Sequence, residues 1–76
     1  MPRIAPVHWK VLECIFLKAG FIFKGQTGSH RRYLKAGCIR PVVIPAHDVI
    51  RQDIIMSNLR TAGMSRDDYF KFLAFC

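Results

Sequence analysis

Apolar residues recur at helical spacing at Trp9, Leu12, Phe16 and Ala19, with Val11 and Ile15 widening the stripe, which predicts a helix over roughly 7–19. Pro2 and Pro6 frame an extended leader before it. Lys18 in the last turn and Gly20 just beyond close it, because glycine takes the left-handed conformation at a helix C-terminus without steric cost. The period then shortens. Phe21-Ile22-Phe23 reads as a strand too apolar to be edge-exposed on both sides, Gly25 and Gly28 bracket the turn after it, and a second strand covers about 29–35. Alternation puts His30, Arg32 and Leu34 on one face of that strand and Ser29, Arg31 and Tyr33 on the other, leaving open which face meets the helices. Ala36-Gly37-Cys38 makes a short hairpin connection to a third strand over 39–45, whose Pro41 and Pro45 lack amide donors and belong at an edge or a strand end.

Beyond this antiparallel meander, a polar connection over 46–52 carries His47. Asp53 is placed to cap a helix over 54–62, in which Ile55, Leu59 and Ala62 line one side, and Gly63 ends it. Ser65-Arg66-Asp67-Asp68 has the form of a capping box, with Met64 positioned to pack on Tyr69, and starts a last helix over 66–74. Its Tyr69, Phe70, Phe72 and Leu73 read as core rather than as a stacking platform. The expected architecture is α+β in two layers: a helix, a three-stranded antiparallel sheet and a helix, with an extra short C-terminal helix, forming a single domain over 1–76 with one sheet face left for solvent or a partner.

Charge narrows the partners. Twelve Lys and Arg against five Asp and Glu give +7, while 51% apolar residues suffice for a packed interior, so a folded basic domain is implied. Such a surface favours nucleic acid, an acidic protein or an anionic membrane. The membrane fits least, since no apolar run approaches the roughly 18–20 residues that span a bilayer and no secretory signal pattern opens the chain. A cytoplasmic location follows. Cys14, Cys38 and Cys76 are odd in number and widely spaced, which suggests reduced thiols. Together with His8, His30 and His47 they offer no close ligand pair, so neither a metal nor a cofactor is expected.

Chemistry concentrates in Lys24-Gly25-Gln26-Thr27-Gly28-Ser29-His30-Arg31-Arg32-Tyr33, where one imidazole sits between a glycine turn and two guanidiniums. An imidazole titrates near neutrality, and a guanidinium offers a planar fork of donors to phosphate oxygens. The segment therefore suits binding and cutting a phosphodiester. It also suits a plain solvated sheet face, and composition alone does not separate the two.

The ordered set of Lys18-Ala19-Gly20-Phe21, Gly28-Ser29-His30 followed by Tyr33, Val43-Ile44-Pro45-Ala46-His47, and Leu59-Arg60-Thr61-Ala62-Gly63 with Ser65-Arg66 resembles the HicA family of small bacterial toxins. The resemblance spans nearly the whole chain. It implies a double-stranded-RNA-binding-like fold, mRNA interferase activity, and neutralisation by a HicB-like antitoxin. His30 matches the catalytic histidine of the family's Gly-Ser-His motif, and His47 matches a family histidine near the end of the third strand that is either assisting or structural. The chain departs from many members in having Gly25 and Thr27 where basic residues are common, which leaves Lys24, Arg31 and Arg32 beside Gly28 and Ser29 as the expected RNA contacts.

Five scattered acidic residues are too few for a two-metal site. Metal-independent attack of the RNA 2′-hydroxyl on its own phosphate fits better, with His30 as general base or acid and the cations offsetting charge on the phosphorane. Two other classes stay open: a non-catalytic RNA-binding module, and an inactive toxin remnant acting as an interaction protein.

Overall fold

The computed structural model describes residues 3–76, so Pro2 of the leader lies outside the described residues. Helix α1 spans Trp9–Lys18, strand β1 Ile22–Thr27, β2 His30–Leu34 and β3 Val42–Pro45, followed by α2 over Gln52–Ala62 and α3 over Arg66–Leu73. The strands form one antiparallel sheet in the order β1-β2-β3. This is the α+β order expected from the sequence.

Each helix buries one stripe. Leu12, Ile15 and Phe16 of α1 meet Tyr33, Val42 and Ile44 of the sheet, with Ile55 and Leu59 of α2 and Tyr69 of α3 completing the core. Ile4 and Phe21 are added from the flanking segments. The leader is held by a bridge in which Val7 and Ile50 exchange two backbone hydrogen bonds. That pairing delays α1 to Trp9, and His8 caps it, its Nδ1 accepting from the Lys10 amide at 3.1 Å. Gly63 closes α2 at φ +66, and Ser65 caps α3 by accepting from the Asp68 amide.

Four expectations need correction. First, β1 runs along the sheet edge through Gly25 to Thr27, instead of ending before a turn that opens at Gly25. A bulge between Phe23 and Gly25 takes up Lys24 and lets pairing continue, while Ile22 stays 60% exposed. Second, β3 begins only at Val42: the segment before Pro41 leaves the sheet, and Ile39 is exposed. Third, α2 starts at Gln52 after Arg51, so Asp53 lies inside the first turn instead of capping it. Its carboxylate accepts from Arg51 Nη2 at 2.7 Å, and this hydrogen bond holds the Asp53 carboxyl below the ordinary aspartate range. Fourth, the cysteines are not all separate thiols. Packing of α1 on α3 brings Cys14 and Cys76 to a Cα separation of 6.1 Å, and they form a disulfide across 62 residues of sequence, while Cys38 is free. No helix among the described residues is long and apolar enough to cross a membrane.

Candidate functional site

The site grows from the tight turn joining β1 to β2. Thr27 pairs with His30, so the connection has only two residues, and Gly28 takes φ +60 at its first position. A two-residue hairpin of the II′ kind needs a positive φ there, and glycine supplies it without strain. His30 is thereby fixed as the first residue of the central strand, flanked by Thr27 on β1 and Pro45 on β3. Beyond Pro45 the Ala46 amide donates to the Ser29 carbonyl at 2.6 Å, tying the segment that carries His47 to the turn before His30.

Tyr33 decides which way the strand faces. It is wholly buried against the helices, so Arg31, two residues away, shares the helix side, while His30 and Arg32 are exposed on the solvent side. The two guanidiniums expected to bind RNA together are therefore separated by the thickness of the sheet.

Arg31 is heavily engaged. Its Nη2 donates to Glu13 Oε2 at 3.0 Å, its Nε to the Tyr33 hydroxyl at 3.0 Å and its Nη1 to Gln26 Oε1 at 2.7 Å. The guanidinium carbon also lies 4.2 Å from the Phe23 ring centre and 5.1 Å from that of Trp9. The Tyr33 hydroxyl donates in turn to Glu13 Oε2. Burial, reinforced by that bond to Glu13, pushes the Tyr33 phenol up to about 12, and the bond to Tyr33 leads in raising Arg31 above its ordinary value.

Arg32 is disposed differently. Its Nη2 lies 3.5 Å from where a Cβ on Gly25 would stand, so the side chain reaches over the glycine of the neighbouring strand on the solvent face. Lys24 is exposed in the adjoining bulge. The solvent face thus presents His30 and Arg32 with Thr27, Gly25 and the aliphatic side chains of Val43 and Ile22, and His47 is exposed at the same end of the sheet as His30. No group of three or more His, Cys, Asp or Glu able to hold a metal ion occurs among the described residues.

Glu13 was not singled out by sequence reasoning. Its signal was its place four residues after Trp9, which puts both on one helix face, and both meet Arg31.

An exposed histidine and arginine on the open face of a small basic α+β sheet define a class of domain suited to polyanions. The comparison with protein families is more particular: the model for the HicA toxin of bacterial toxin-antitoxin matches residues 9–64, and the chain belongs to that family. No curated protein matches it.

Proposed function

We propose that the chain is an mRNA interferase, an endoribonuclease that cuts RNA phosphodiesters without a metal ion and uses His30 as its catalytic histidine. The observation that carries this reading is the exposure of His30 and Arg32 on one face of the central strand, with Arg31 turned away and engaged by Glu13. A substrate phosphate lying across that face meets a proton-transfer group and a guanidinium that makes no ion pair among the described residues.

The 2′-hydroxyl attacks the adjacent phosphorus, His30 takes its proton or delivers one to the departing 5′-oxygen, and Arg32 offsets charge building on the phosphorane. One imidazole does not serve both ends of a concerted transfer, so His47, Lys24 or water assists at the other. Gly28 and Ser29 form a turn without bulky side chains where the RNA backbone approaches. Among the described residues no three of the His, Cys, Asp and Glu side chains converge, and the step is written through side-chain protons. The substrate implies work in the cytoplasm. A HicB-like antitoxin with an acidic surface is the expected partner, since covering the His30 face neutralises the activity.

The test is incubation of the purified chain with a structured mRNA in excess EDTA. Cleavage unaffected by chelation, leaving 2′,3′-cyclic phosphate and 5′-hydroxyl ends, supports the mechanism. Loss of cleavage on chelation overturns the metal-free route, and binding without cleavage makes the chain an RNA-binding module.

A further inference from the structure

A second basic feature lies at the opposite end of β2. Lys35 follows the strand, five residues from His30, which corresponds to about 16 Å of extended chain. There the segment over 35–40 and the C-terminal turn of α2 border an open cleft of about 790 Å³, lined by Lys35, Arg40 and Arg60 together with Ile39, Thr61 and small residues. No carboxylate lines it. Arg40 and Arg60 make no salt bridge among the described residues. The cleft is also built rather than incidental: the Cys38 thiol lies within hydrogen-bonding distance of the carbonyls of Arg40, at 3.5 Å, and Thr61, at 3.6 Å, linking the loop wall to the helix wall.

Arg60 has a structural duty, since a cation in the last turn offsets the negative end of a helix. That end carries only about half a charge, so Arg40 and Arg60 still leave the cleft positive. Lys35 stands at the rim, its Nζ lying 5.7 Å from the centre of the Phe21 ring and its side chain bordering a smaller neighbouring pocket that Asp68 also lines. The only large apolar side chain at the cleft is Ile39, and it is 99% exposed, so the apolar part of the wall comes from small residues such as Ala36 and Ala62. Its charged lining is cationic throughout.

We infer that this cleft is a second phosphate site, holding a backbone phosphate of the same RNA strand remote from the one at His30. The inference rests on the RNA reading above, and it adds what that reading lacks: a second anchor that fixes the strand's course over the protein. Two anchors a fixed distance apart make affinity depend on RNA length, because only a strand long enough to reach both gains from the second.

The test uses 2′-O-methyl RNA oligomers of about 4 to about 16 nucleotides, which bind without being cut, titrated by fluorescence anisotropy against the full chain. Affinity is expected to rise by a step of tenfold or so once the oligomer spans both ends of β2. The R40A and R60A variants, checked for unchanged thermal unfolding, should each shrink that step and together remove it, while leaving the shortest oligomer's affinity unchanged. R40K should retain most of the step. The salt dependence for the long oligomer should fall by roughly 0.7 log units per log unit of salt for the phosphate lost.

A step that persists in the double variant, or a loss equal at every length, overturns the inference. So does a double variant that keeps its RNA binding but no longer binds the antitoxin, because the cleft is then a protein-docking site. Since the oligomers lack a free 2′-hydroxyl, the readout is independent of catalysis. A wild-type chain that shows the step yet never cuts RNA refutes the nuclease reading and leaves the second site standing.

Discussion

Arg31 and Arg32 are neighbours in sequence and face opposite sides of the central strand, one bound to Glu13 under the sheet and the other exposed beside His30. Their substitutions should separate cleanly. R31A leaves the half-buried Glu13 carboxylate without its cation and should cost about 1–3 kcal/mol of stability in urea unfolding. R32A should change stability by less than about 0.5 kcal/mol. It should instead weaken RNA binding and lower its salt slope by roughly 0.7. Equal effects of the two on RNA affinity, with no difference in stability, would contradict the assignment of faces.

The two buried tyrosines invite a similar contrast. The Tyr33 hydroxyl is shared between Arg31 and Glu13, whereas the Tyr69 hydroxyl has no partner among the described residues. Y33F should therefore destabilise by about 1 kcal/mol, and Y69F should be neutral or mildly stabilising, because it removes a buried group that satisfies nothing. Chemical denaturation of both variants checks this, and a larger loss in Y69F than in Y33F would reverse the reading.

Alkaline unfolding follows from Tyr33. A phenol raised to about 12 in the fold keeps its proton after the unfolded chain, near the ordinary value of 10, has lost it. The contribution is fully present below pH 10 and disappears as pH climbs towards 12, a loss on the order of 2 kcal/mol. Thermal unfolding followed across that window should show the midpoint falling more steeply in the wild type than in Y33F. Parallel curves would mean that Tyr33 ionises as freely in the fold as outside it.

Much of this fold was legible because it depends on local chemistry. The Leu12, Ile15 and Phe16 stripe, the glycine at position 63 and the serine at 65 each act within a few residues, and each stands where the pattern put it. What escaped depends on long-range contact. The bulge at Lys24 is stabilised by pairing with β2, so Gly25 looked like a breaker when it is a strand residue. The choice of face for His30 turns on Tyr33 meeting Glu13 across 20 residues of sequence, which alternation alone does not reveal. The cysteine spacing likewise gave no hint that the end of the chain returns to α1.

That returning end carries its own expectation. Closing a loop of 62 residues restricts the unfolded chain, worth up to about 4 kcal/mol in the chain-entropy account. Reduction, or C76S, should lower the urea midpoint accordingly and release α3 first. An unchanged midpoint under strong reductant would show that α3 is held by Tyr69 and its neighbours alone.

The nuclease reading is tested most directly by RNA cleavage with purified H30A, accompanied by H30Q and by circular dichroism of both. His30 is exposed at a strand end, so removing its ring should leave the fold within about 0.5 kcal/mol of wild type. Cleavage should disappear in H30A and in H30Q, which keeps polar bulk without the titration, while binding to an uncut 2′-O-methyl oligomer persists. Wild-type cleavage rates in folded H30A would contradict the account and move the chemistry away from this histidine.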